Sequence, residues 1–368
     1  MSPAHSQQHA DPVPSTLCFS APLYLAWEVT LQCNARCLHC YSDSGPGVRD
    51  PGELSTAEAL RIIDELADAG LLILAFSGGE PLLRPDIDQL IGHAVGRGLV
   101  VQIATNGALI NARRAAKLAE LGVRGVTVSL DGADAATHDQ IRQRPGLFKR
   151  AVSAIRILAE AGMRVVVSFT PTRLNHEHGL RVIELAKEFG ASAVNMSEYV
   201  PAGRGTIDLA LPPNTLRDVL QKWIEAGREN QGKIQVQWHD CRVSLLVPPA
   251  ERDLYAGCGA GRLTARMRVD GTLTPCVFLP NAAGSLRDSS FKTIWESSPV
   301  LRAIRDRGQL HDGNCAGCEH QYTCGGCRAV SMSHYGDPMR GDPSCWIHPE
   351  VSDPELVPTA ALMSHVPR

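Results

Sequence analysis

The residues with the clearest chemical potential in this 368-residue chain are three cysteines in Cys33-Asn34-Ala35-Arg36-Cys37-Leu38-His39-Cys40. Their spacing is Cys-x3-Cys-x2-Cys, within eight residues. The run Leu23-Tyr24-Leu25-Ala26-Trp27-Glu28-Val29-Thr30 just before them is apolar and β-branched, as a strand is. A loop leaving a strand can fold three thiolates around one point. Cysteine thiolates are the usual ligands of a [4Fe–4S] cube, so three of them leave one of its four irons open. A zinc site is the competing chemistry, but zinc usually takes four ligands in a closed site, and no fourth lies nearby in the sequence.

A second set of cysteines follows far downstream. Cys258 is separated by twelve residues from Gly271 and then by four from Cys276; Cys315-x2-Cys318-x5-Cys324-x2-Cys327 comes next, and Cys345 last. A zinc ribbon built from Cys315, Cys318, Cys324 and Cys327 would leave Cys258, Cys276 and Cys345 unexplained. Plain packing of buried thiols does not account for seven at such spacings. Cys18 and Cys241 fall outside both sets. For Cys241, in Trp238-His239-Asp240-Cys241, three roles compete: a further cluster ligand, a hydrogen-atom donor, or a small buried hydrophobe.

The first triplet closely resembles the signature of the radical S-adenosylmethionine (SAM) superfamily. That resemblance implies that the open iron chelates the amino and carboxylate groups of SAM. An electron from the cluster, held by Cys33, Cys37 and Cys40, then cleaves the sulfonium to a 5′-deoxyadenosyl radical. Ser77-Gly78-Gly79-Glu80-Pro81 resembles the family's Gly-Gly-Glu-Pro motif, which implies that its backbone and Glu80 hold the SAM amino group. By the same resemblance Ser129 and Arg142 are candidates for the SAM carboxylate, with Thr105, Asn106 and Asp131 in the same pocket and His39 beside the adenine. Helix N-capping is the competing role for Asn106 and Asp131. Ser168, Glu198 and Tyr199 either touch SAM or substrate or are structural, and Arg204 either faces the pocket or solvates a loop.

The second cysteine set resembles the SPASM extension of radical SAM maturases, which implies two auxiliary [4Fe–4S] clusters and three clusters in all. On that pattern Cys315, Cys318, Cys324 and Cys345 hold an outer cluster, and Cys258, Cys276 and Cys327 an inner one. The pattern usually has three residues before the last cysteine of the central group; here there are two, Gly325 and Gly326. A Cys-Gly-Gly-Cys form occurs in relatives connected with haem biosynthesis.

The elements that must carry these motifs form a strand–helix alternation from Leu23 to about Val200. Strands are expected at Leu72–Phe76, Val100–Ala104, Val126–Leu130, Val165–Phe169 and Ala193–Ser197. Helices are expected after the capping box Ser55-Thr56-Ala57-Glu58 and over Asp86–Arg97, Ala112–Leu121, Phe148–Ala161 and Glu177–Phe189. Glycines follow each helix, as at helix C-termini. Six consecutive β-α units predict an α/β fold with a parallel sheet and right-handed crossovers. An open, partial (β/α)6 barrel is preferred over a doubly wound sheet, and the family resemblance implies the same. In such folds the chemistry sits at the carboxyl ends of the strands, where the motifs fall. The expected division is a flexible tail over 1–20, the barrel over 21–234, the auxiliary-cluster domain over 235–348 and a loose tail over 349–368.

Net charge is −3, from 36 basic and 39 acidic residues, which gives no electrostatic case for nucleic acid or an anionic membrane. No secretory signal and no apolar run of the ~18 residues needed for a membrane span is present. Clustered cysteines without a signal fit a reducing, cytoplasmic setting. The expected function is reductive cleavage of SAM and hydrogen-atom abstraction from a ribosomally made peptide. The alternatives are a tetrapyrrole side chain, an aminoglycoside or sugar, or a role as iron–sulfur electron carrier or scaffold without SAM chemistry. The expected partners are a reductant such as ferredoxin or flavodoxin and, because the barrel begins near Leu23, a separate leader-peptide-binding protein.

Overall fold

A computed structural model describes residues 19–255 and 257–349. Cys18 and almost all of the two expected tails lie outside the described residues. Six strands run in chain order: β1 (Tyr24–Glu28), β2 (Ile73–Ser77), β3 (Val100–Thr105), β4 (Gly125–Ser129), β5 (Arg164–Phe169) and β6 (Ala193–Ser197). Each pairs in parallel with the next, and β7 (Gln235–His239) continues the series beside β6. The order never reverses, so all crossovers lie on one face and the sheet curls towards a barrel instead of winding both ways.

The crossover helices are α1 (Thr56–Asp68), α2 (Ile87–Gly96), α3 (Ala112–Glu120), α4 (Ala135–Arg142), α5 (Leu147–Glu160), α6 (Gly179–Glu188) and α7 (Pro213–Glu229). The Ser55–Glu58 capping box forms as its sequence requires. Strand residues that alternate outward, including Trp27, Phe76, Ile103, Val128, Val167 and Met196, build the core beneath these helices. The inward set at the strand ends is short and polar, a consequence of the period-two alternation of strand side chains.

Helix α4 has no counterpart among the helices expected from periodicity. Its sequence, AATHDQIR, has a weak apolar stripe, but Asp134 caps it by accepting the Thr137 N–H at 2.8 Å. The sheet also extends further than six strands. After β7 the chain crosses to the opposite edge, where β8 (Thr264–Met267) pairs in parallel with β1, and β9 (Thr272–Thr274) and β10 (Gly284–Ser285) follow antiparallel. The expected division at 234/235 therefore falls just before a strand hydrogen-bonded to β6. A buried ion pair between Arg266 on β8 and Glu28 on β1, at 2.5 Å, links these two neighbouring strands. The remaining helices are α8 (Phe291–Ser297), α9 (Pro299–Arg305) and α10 (Arg328–Tyr335). Among the described residues no helix is long and apolar enough to cross a membrane.

Candidate active site and auxiliary cysteine sites

The loop after β1 carries Cys33, Cys37 and Cys40 into a small apolar nest with Ala35, Ala108 and Leu147. Several bonds hold it there. Arg36 and Leu38 donate their N–H groups to the carbonyls of Arg142 and Ile141 at the end of α4. Arg144 donates to the Asn34 carbonyl at 2.7 Å. Arg204 does more than solvate a loop: it donates to the Cys37 carbonyl at 2.8 Å and the Ser44 carbonyl at 2.9 Å, and it pairs with Asp43 at 2.6 Å. Its neighbour Gly203 lies against the loop so closely that a Cβ would sit 2.5 Å from the Cys40 carbonyl oxygen. The sequence offered one signal for this brace, an arginine between two glycines just past β6.

The loop faces an open cavity at the carboxyl ends of the strands, about 1080 Å3 with the solvent at its mouth included. Cys33, Cys37, Cys40, His39, Gly78, Gly79, Thr105, Asn106, Ser129 and Arg142 all line it. Ser77, Ser129, Ser168 and Ser197 bring hydroxyls from β2, β4, β5 and β6, and Glu198, Tyr199 and Arg204 complete that side. Gly78 has φ of +120°, and a Cβ there would lie 2.5 Å from the Thr30 carbonyl oxygen. A Cβ on Gly79 would collide with the Gln32 carbonyl. The two glycines therefore let their segment lie flat on the strand exit that leads to Cys33.

Three expected pocket residues sit behind the wall instead. Glu80 is fully buried, and its carboxylate accepts from Thr105 Oγ1 at 2.8 Å, from the Asn106 N–H at 2.9 Å and from the Leu82 N–H at 3.3 Å. Burial pushes its pKa up to about 7 even against those donors. Pro81 is buried beside it. Asp131 is fully buried and joins the pocket to its frame: it pairs with Arg142 at 2.5 Å and His39 at 3.3 Å, and accepts the Thr170 N–H at 3.0 Å. Burial would raise its carboxyl, but Arg142 and His39 hold it well below the usual carboxylate range. His138 supports the same hub by accepting the Asp131 N–H; burial lowers its pKa to about 4, so it stays neutral. Asn106 does not act as a helix cap. Its side chain bonds Asn34 at 2.7 Å and the Ala108 N–H at 3.0 Å.

The second cysteine set separates into two places. Cys315, Cys318, Cys324 and Cys345 line a smaller cavity enclosing about 360 Å3. Each of these thiols accepts one backbone N–H: from Asp342 (3.4 Å), His320 (3.4 Å), Gly326 (3.4 Å) and His348 (3.5 Å) respectively. Cys327, which a zinc ribbon would need, is not in that cavity. It packs with Cys258 and Cys276 around Val200, Ala260 and Leu279. Gly325 and Gly326 both take left-handed backbone, at φ +67° and +65°. That double turn points Cys324 and Cys327 into different sites although only two residues separate them.

The donor sets fit iron–sulfur clusters. The outer cavity presents four thiols with an N–H on each sulfur, the environment that tunes such clusters. The barrel mouth presents three thiols beside a cavity that His39 and Arg142 help to line, and His39 Nδ1 and Arg142 Nε are buried without a protein hydrogen-bond partner.

Comparison with known proteins identifies the family. The family model described as the Radical SAM superfamily matches residues 27–195, and SPASM, an iron-sulfur cluster-binding domain, matches 258–319. An AdoMet-dependent heme synthase of Methanosarcina barkeri is 35% identical, covering 90% of this chain and 98% of that protein. The chain belongs to the radical SAM superfamily, with a SPASM extension. Mycofactocin maturase MftC of Mycobacterium tuberculosis (strain ATCC 25618 / H37Rv) is 36% identical, covering 88% and 83% of the two chains. In fold, the chain is similar to Streptococcus suis SuiB bound to S-adenosylmethionine, with a TM-score of 0.73 at 19% identity over 89% of this chain and 78% of that one. As a member of this family the protein is an enzyme that uses SAM and [4Fe–4S] clusters, not a carrier or scaffold alone.

Proposed function

We propose that this radical SAM/SPASM enzyme modifies a ribosomally made peptide. The character of the large cavity carries the reading. Its wall mixes hydroxyls and amides with apolar side chains, Tyr199, Val200, Val277 and Phe278 among them; Arg204 is engaged by Asp43 and two carbonyls, and Arg142, paired with Asp131, is the guanidinium left for the SAM carboxylate. Such a wall suits the neutral donors and acceptors of a peptide better than the several carboxylates of a tetrapyrrole, which would need free cations. The likeness to MftC, a mycofactocin maturase, agrees with this.

In this reading Cys33, Cys37 and Cys40 hold the catalytic cluster, which supplies the electron for SAM cleavage when bound. The chain's own work is placement. Asp131 fixes Arg142 and His39 at the wall, Glu80 anchors the Thr105–Asn106 turn, and Arg204 keeps the cysteine loop closed. Gly78 and Gly79 present backbone towards the amino group of SAM, and Ser129 and Arg142 face its carboxylate. Cys315, Cys318, Cys324 and Cys345 hold the outer auxiliary cluster, and Cys258, Cys276 and Cys327 the inner one. The reading includes a cytoplasmic setting, a ferredoxin- or flavodoxin-type reductant and a separate leader-binding partner.

A second reading, tetrapyrrole side-chain modification, is favoured by the heme synthase relative, which the chain matches over nearly that protein's full length. The test is anaerobic turnover with SAM and a strong reductant. A short peptide encoded beside the gene, deuterated at its side chains, should stimulate 5′-deoxyadenosine formation and pass deuterium into it. Stimulation by a carboxylated iron tetrapyrrole alone would overturn the peptide reading in favour of the second.

A further inference from the structure

On the reading that the SPASM region holds two clusters, the inner set has three cysteines for four irons. We propose that Cys241, which lies outside the SPASM match, is the fourth ligand of the inner auxiliary cluster.

Three observations support this. First, Cys241 belongs to the same compact packing group as Cys258, Cys276 and Cys327. Cys327 is one of its buried members, and Cys241, Cys258 and Cys276 pack against that group. Four cysteines gathered on one buried group are the ligand count that a [4Fe–4S] cube takes.

Second, the fold delivers Cys241 there. β7 runs parallel to β6, so its carboxyl end emerges at the barrel mouth, and Cys241 opens the 3-10 turn two residues beyond it. The next residue, Arg242, is buried and held by Asp240, Glu198 and Asp342. The Asp342 carboxylate also accepts the Cys327 N–H at 2.7 Å. Cys241 and Cys327 are thus set relative to one another through a single buried ion network.

Third, Cys241 stands outside the outer cavity although Arg242 and Leu245 both line it. The outer set already has its four cysteines. As a ligand of the inner cluster it would close that cluster's last iron.

The test uses the full chain with Cys33, Cys37 and Cys40 replaced by Ala, which isolates the auxiliary clusters, reconstituted anaerobically. The parent should hold about eight irons, four to each cube. Adding Cys241→Ala should lower the iron content by between one and four per chain and change the Mössbauer and reduced-state EPR spectra of one cluster. Cys241→Ser, whose hydroxyl can still ligate, should restore most of the iron with an altered spectrum; this separates lost ligation from misfolding. About eight irons and unchanged spectra in Cys241→Ala would overturn the assignment alone, leaving Cys241 as a packing thiol. A parent with about four irons or fewer would overturn the two-cluster reading and the assignment with it.

Discussion

Glu80 combines complete burial with a carboxylate whose pKa is pushed up to about 7, which makes it a measurable stress in the fold. In the unfolded chain a glutamate titrates near ~4.3. Between those values the folded protein binds the proton and the unfolded chain does not, so stability falls as pH rises. The full effect is about 3–4 kcal/mol. The part between pH 6 and pH 8 is about 1.4 kcal/mol, because the folded-state carboxyl goes from about nine-tenths protonated to about nine-tenths ionised while the unfolded one stays ionised. Glu80→Gln removes the titration. Its single carbonyl oxygen can accept from both Thr105 and the Asn106 N–H, but its NH2 group then faces the Leu82 N–H, which adds a pH-independent cost of about 1–3 kcal/mol. Urea unfolding of anaerobic holoenzyme at pH 6, 7 and 8 should therefore show the wild type losing stability relative to Glu80→Gln as pH rises. Parallel wild-type and variant profiles would refute the reasoning. Repeating the series with SAM adds a second reading: if the carboxylate takes the SAM amino group, the charged form gains a partner and the slope flattens.

Replacing Cys33, Cys37 and Cys40 together by Ala should take the chain from about twelve irons to about eight and abolish 5′-deoxyadenosine formation; zinc in place of iron in the wild type would contradict it. Gly326→Ala puts a Cβ 2.6 Å from that of Asp342 and 2.9 Å from Cys315 Sγ, at φ +65°, so auxiliary iron should fall while the catalytic cluster's signal persists. Arg204→Ala removes three bonds to the cysteine loop, and iron analysis and EPR should show loss confined to the catalytic cluster; Arg204→Lys, which can keep one of them, should recover part of it.

Most of the proposed catalytic centre is legible in the one-dimensional chain because the cysteines proposed to hold it lie on one loop. Cys33, Cys37 and Cys40 are neighbours in sequence, and a strand before them fixes where the loop emerges. Likewise, β1 to β6 and their helices have strong apolar periodicity, and their alternation dictates a parallel sheet. What the sequence could not show was anything set by contacts between distant segments. Whether Asp131 and Glu80 face the cavity or stand behind it depends on His39, Arg142 and Thr105 arriving from other strands and loops. The division of seven cysteines between two sites depends on two left-handed glycines, and on Asp342 bonding Cys327 on one side and Cys315 on the other. The pairing of β8 with β1, across more than two hundred residues, has no local signature at all. Residue types and short spacings determine the chemistry the chain can do; burial and long-range pairing decide which groups are exposed to do it.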